Sequence, residues 1–160
     1  MKNFFLIIFL VLLSTNNIFA ASSSSSSNTK SSYDQAVKLI KAAKNYEKKG
    51  KPDKATKRYE KALKLLIKSN KKKPNKPDTL NYLGFTTRKL GDYENGEKYY
   101  LQGLSINPNH KGINEYLGEL YVATNRINLA KERLEVLKNC NCKEYKELKE
   151  IIDGTKKSKY

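Results

Sequence analysis

Histidine is nearly missing from this chain: its one copy, His110, follows Pro108-Asn109 in a turn-forming stretch. A histidine metal cluster within one chain is thereby excluded. A Ser-His or Cys-His nucleophile pair would have to use His110 alone. His110 is expected to be a solvated loop residue. Cysteine occurs only as Cys140 and Cys142. There is no glycine-rich phosphate loop and no nucleophile elbow. No stretch alternates with period two for long enough to make a strand. Apart from residues 4–13, no long apolar run occurs. These absences leave no constellation for an enzyme, and neither a cofactor nor a metal is expected.

The apolar run is local and short. Lys2 gives a basic start, Phe4 to Leu13 is unbroken and apolar, and Ala20 offers a small exit residue. That pattern is expected of a secretory signal peptide over residues 1–20. Ten residues of helix cover about 15 Å, against about 30 Å of hydrocarbon in a bilayer. Export is therefore the expectation, to a bacterial periplasm, with secretion as the alternative. Residues 21–33 are nearly all Ser and other small polar residues, and are expected to form a disordered spacer. Residues 154–160 are expected to form a loose basic tail. Between them lies enough chain for one domain, residues 34–153.

Charge is distributed unevenly. Lys and Arg number 32 against 16 Asp and Glu. Residues 36–76 hold sixteen basic and three acidic residues, whereas 77–160 hold fourteen and twelve. Lys54, Lys57, Lys61, Lys64 and Lys68 recur at three and four spacing, which places them on one helix face. Lys38, Lys41, Lys44 and Lys48 do the same on the preceding helix, and Lys71-Lys72-Lys73 adds a cluster. Two readings stand: a solvated face, or an electrostatic footprint for an anionic membrane or envelope polymer. Nucleic acid fits the charge but not the exported setting.

An internal repeat organises the rest. Tyr82-Leu83-Gly84 returns as Tyr116-Leu117-Gly118, 34 residues later. Apolar residues recur with helical spacing at Tyr59, Ala62, Leu63, Leu66 and Ile67. Stops fall at Gly50-Lys51-Pro52-Asp53, Gly91-Asp92 and Asn107-Pro108-Asn109. Asp53 and Asp92 are expected to cap the helices that follow. The pattern predicts seven helices, over about 33–49, 53–71, 78–90, 93–106, 111–124, 127–139 and 143–153.

Residues 77–110 resemble a tetratricopeptide-repeat (TPR) unit through Leu80, Leu83, Gly84, Gly91-Asp92-Tyr93, Gly96, Tyr100, Gly103, Leu104 and Pro108. Residues 111–144 resemble a second unit, with Cys142 where the family has Pro. Residues 36–76 resemble a stretched one, 41 residues long because Pro74 comes seven residues late. Seven residues are close to two helical turns, so its second helix is expected to run on without losing phase. Residues 145–153 read as a capping helix. The resemblance implies an all-α, TPR-type solenoid of about three helix-turn-helix repeats.

It also implies a partner-binding groove lined by the first helix of each unit. That surface would include Ile40, Lys41, Lys44, Lys48, Asn81, Tyr82, Phe85, Arg88, Lys89, Glu115, Tyr116 and Glu119. Its aromatics, edged by cations, would grip apolar side chains with an acidic flank. Tyr82 and Tyr116 have packing between helices as their alternative role. The family's carboxylate clamp is not expected, since Ile40, Lys44, Gly112 and Tyr116 stand at four of its positions. The implied function is non-enzymatic protein–protein interaction, with another protein held as peptide or helix. Homodimerisation through an exposed end is a further option. Cys140 and Cys142 leave three readings: a small disulfide, two quiet thiols, or a redox or Cu(I) carrier.

Overall fold

The computed structural model describes residues 30–158. The proposed signal peptide, and the spacer up to residue 29, lie outside the described residues. The described residues form seven helices: α1 (Ser32–Lys48), α2 (Pro52–Lys72), α3 (Pro77–Lys89), α4 (Tyr93–Ile106), α5 (Lys111–Ala123), α6 (Ile127–Leu137) and α7 (Lys143–Ile152). There is no strand among the described residues. No described helix is long and apolar enough to cross a membrane. The helices pair as α1 with α2, α3 with α4 and α5 with α6, and α7 closes the far end against α5 and α6.

Each hairpin turns on a residue that tolerates left-handed backbone. Gly50, Gly91 and Asn125 have φ of 64°, 94° and 59°. L side chains other than Asn and Asp seldom adopt such angles. The last two are 34 residues apart, so the turn repeats with the unit. Helix starts are fixed individually. Ser31 Oγ accepts from the Asp34 amide at 3.1 Å, and Asp92 Oδ1 accepts from the Asn95 amide at 3.1 Å. Asp53 does not cap α2; Lys51 holds the cap position and makes no side-chain cap bond. Asp53 instead sits in the first turn, where its charge complements the helix dipole. Cys140 and Cys142 are joined by a disulfide in the α6–α7 turn, Cα to Cα 5.2 Å.

The core runs the length of the stack, through Ile40, Tyr59, Leu66, Leu80, Leu83, Tyr100, Ile113, Leu117 and Leu120. Each such side chain contributes about 1.5–3 kcal/mol by leaving water. Close approach of helices requires small residues. A Cβ on Gly84 would lie 2.5 Å from the Tyr100 ring, and one on Gly118 would lie 2.5 Å from Leu148. The repeated Leu-Gly thus serves the same purpose twice, against α4 in one unit and against α7 in the next. Ile67, placed on the apolar stripe by its spacing, is 49% exposed. It falls beside the stripe rather than on it.

α2 is 21 residues long where α4 is 14, so the long first unit is a long second helix. Its buried positions are Ala55, Tyr59, Ala62 and Leu66, at steps of four, three and four. Two ends depart from expectation. Ser32 and Tyr33 belong to α1, and Tyr33 packs on the core rather than continuing the spacer. Beyond α7, the Lys156 amide donates to the Glu150 carbonyl at 3.1 Å, and its ammonium reaches Glu150 and Glu147 at 3.3 and 3.5 Å. The start of the tail is therefore folded back onto α7.

Candidate partner-binding groove

Helices α1, α3 and α5 lie side by side, and one cluster joins all three. Phe85 of α3 is 2% exposed, edge-on to Tyr59 at 5.9 Å and tilted against Tyr116 of α5 at 5.0 Å. Lys44 of α1 lies over it, with Nζ 4.3 Å from the Phe85 centroid and 5.3 Å from that of Tyr116. The same ammonium donates to Tyr116 Oη at 3.1 Å. A cation held over two ring faces is an attractive arrangement. Phe85 is consequently a core residue under a lysine lid, and its ring does not face a partner.

Beneath this lid lies a buried charge system. Arg88, 1% exposed, donates to the Tyr116 carbonyl at 2.5 Å and pairs with Glu119 at 3.5 Å. Both side chains are fully buried. The guanidinium carbon is 5.7–5.8 Å from the Phe85, Tyr100 and Tyr116 centroids. Glu115 and Glu119 meet Glu147 of α7, their carboxylate oxygens all within 4.8 Å of one another. An isolated buried carboxylate costs several kcal/mol, so the Arg88 cation is what this end of α5 requires.

A second pair links α1 and α3. Lys89 Nζ donates to Glu47 Oε1 at 2.6 Å, and Glu47 Oε2 accepts from Tyr59 Oη at 3.0 Å. Tyr33 stacks edge-on to Tyr82 at 5.9 Å. Burial, then the Glu47 charge, pushes the Tyr59 phenol up; burial, then Glu115, does the same for Tyr116. Burial, then Asp78, raises Tyr82. All three hydroxyls therefore stay protonated and can donate.

The residues expected to line the groove separate into two layers. Phe85, Arg88, Asn81, Glu115 and Glu119 are buried and hold the units together. Lys41 and Lys48 are exposed, while Lys44, Tyr82, Lys89 and Tyr116 are half-buried at the surface. Ile40 belongs to the core. The five lysines Lys54, Lys57, Lys61, Lys64 and Lys68 are all exposed on α2.

Sequence reasoning missed Glu47, Tyr59 and Tyr33 as groove neighbours. It also misplaced His110. That residue is the N-cap of α5, its Nδ1 accepting from the Ile113 amide at 3.2 Å. Nδ1 as acceptor leaves the proton of the neutral ring on Nε2, which donates to Asp78 Oδ1 at 3.1 Å. The imidazole thus ties α5 to α3. An S/T/D/N rule for caps does not register histidine in that role.

Residues 78–110 match the family model for the tetratricopeptide repeat. Among solved structures, the chain is similar to the first TPR of Spaghetti (RPAP3) bound to an HSP90 peptide. The identity is 21%, the TM-score 0.53, and the match covers 77% of this chain and 94% of that one. It is similar to the second TPR domain of human RPAP3 in complex with an HSP70 peptide, at 18% identity and TM-score 0.52, covering 76% and 98%. It is also similar to the Yersinia enterocolitica type III secretion translocator chaperone SycD, at 20% identity and TM-score 0.53, covering 76% and 88%. No curated protein sequence matches significantly. One unit of this chain thus matches the tetratricopeptide-repeat model in sequence, and the fold across all three units is that of TPR domains.

Proposed function

We propose that the chain is a non-enzymatic interaction module that holds a partner protein on the face formed by α1, α3 and α5. The observation that carries this is the two-layer construction of that face. Buried Phe85, Arg88 and Glu119 lock three helices together, and Lys41, Lys44, Lys48, Lys89, Tyr82 and Tyr116 stand above them. A rigid base with cations and phenol hydroxyls on top suits an extended or helical segment carrying carboxylates. The RPAP3 domains are bound to peptides in their structures, and SycD is a chaperone. Those partners are theirs; for this chain they support the class of function only. The N-terminal apolar run supports an exported setting, with the cell envelope as the place to look for the partner.

The test is a pull-down from a native envelope extract with residues 21–160 as bait, washed at low and high salt. A discrete protein should survive high salt and be lost with Tyr82→Ala combined with Lys44→Met. Retention of lipid or polymer alone, all released by salt, would mean that the exposed lysines of α2 are the working surface.

A further inference from the structure

The extended end of α2 builds a cleft that the groove reading does not use. It holds about 580 Å³ and lies between the start of α1, the last turns of α2 and the start of α3. Lys30, Lys68, Lys72, Lys73 and Lys76 line it, with Asp78 as the one acidic residue. Counted from its first residue, α2 matches the length of α4 at Leu65. Lys68 and Lys72 therefore belong to the seven extra residues, and Lys73 follows directly. The departure from a 34-residue repeat is what supplies the cleft wall.

Four further observations bear on what it takes. None of the five lysines has a carboxylate partner among the described residues. Asp78 is drawn towards His110. Lys30 lies against exposed Lys38, whose ammonium is held below the usual lysine range by its hydrogen bond with Lys30 and then by the Lys30 charge. The wall is also fixed: Asn75, at φ 58°, makes the turn after α2, and its side chain accepts from Gln102 of α4 at 3.0 Å.

We infer that this cleft binds a compact ligand carrying two or more phosphate groups. Ammonium groups bind phosphate oxygens as point charges, and five of them around one cleft exceed what a single carboxylate would need. Hydroxyls of Ser69 and Tyr33 supply neutral donors beside the charges. Burial, then Asp78, pushes the Tyr33 phenol up, so it remains a donor. The volume falls within the ordinary range for small-ligand sites, about 300–1,000 Å³. This site is separate from the partner face and stands or falls independently of it.

The probe is inorganic tripolyphosphate, titrated into residues 21–160 by calorimetry and followed by amide NMR shifts. Saturable binding should shift residues 31–35 and 68–79. Lys68→Gln/Lys72→Gln/Lys73→Gln should weaken it about tenfold, as loss of three partly screened charge contacts implies. Lys57→Gln/Lys61→Gln/Lys64→Gln removes the same charge outside the cleft and should leave binding within about threefold. All six are exposed, so both variants should fold, as circular dichroism will check. Equal weakening by the two variants, or binding that does not saturate, overturns the site. A parallel arm uses phosphatidylglycerol vesicles. Vesicle binding that tripolyphosphate displaces, and that the cleft variant loses, assigns the phosphate to a lipid surface. No vesicle binding assigns it to a soluble ligand. Vesicle binding lost equally in both variants counts against the cleft.

Discussion

Arg88 offers the sharpest test of how the stack is held together. Its guanidinium is fully buried, donates to the Tyr116 carbonyl, and faces Glu119, which is also fully buried and sits beside Glu115 and Glu147. Arg88→Met keeps most of the volume and removes the charge. Glu119 is then a buried carboxylate without its cation, next to two others. Breaking such a pair from one side costs about 3–5 kcal/mol. That is a large part of the roughly 5–15 kcal/mol that holds a domain. Glu119→Gln should be damaging for the mirror reason. The double change Arg88→Met/Glu119→Gln removes both charges, so it should cost less than Arg88→Met alone. Urea unfolding of the four proteins, followed by far-ultraviolet circular dichroism, gives the coupling directly. A double variant whose loss equals the sum of the two single losses would refute the reasoning. So would a loss below about 1 kcal/mol for Arg88→Met, since that is the scale of an exposed pair.

Three further outcomes follow from the same geometry. Phe85→Ala should cost about 3–5 kcal/mol as a core truncation, whereas Tyr82→Ala should cost less; thermal unfolding of the two variants separates a packing residue from a surface one. Asp92→Ala should cost about 0.5–1 kcal/mol, at the low end for an N-cap because the site is exposed. The Asn95 side chain and amide hold the Asp92 carboxyl below its usual value. Its contribution is therefore present above the ordinary carboxylate range, about 4, and is lost as pH falls through the lowered one. The stability difference between Asp92→Ala and wild type should accordingly close on acidification. The Cys140–Cys142 disulfide closes only a very small loop, so calorimetry with and without reductant should show that reducing it costs less than the usual 2–4 kcal/mol.

The helix plan was legible because it is written locally. Left-handed turn residues and a 34-residue spacing announce each hairpin within a few positions of itself. The seven-residue delay of Pro74 even reported the longer α2. The proposed partner face was legible only in outline. Spacing says which side of α3 carries Phe85, but not that Lys44, a full helix pair away, covers it. The same holds for His110, whose partner Asp78 lies 32 residues back. Glu47 went unnoticed because it reads as one acidic residue in a lysine-rich helix. Its value lies in Lys89 and Tyr59, which arrive from two other helices.

The bond from Lys44 to Tyr116 spans 72 residues and passes over the middle unit. Stacked-repeat proteins are commonly treated as one-dimensional arrays, in which each unit senses only its immediate neighbours and ends fray independently. Here the first and third units are in direct communication. That side-chain bond adds a direct link between α1 and α5 to the packing each of them makes with α3. Fraying of the first unit and fraying of the third are thereby coupled, by the roughly 1 kcal/mol that such a bond contributes.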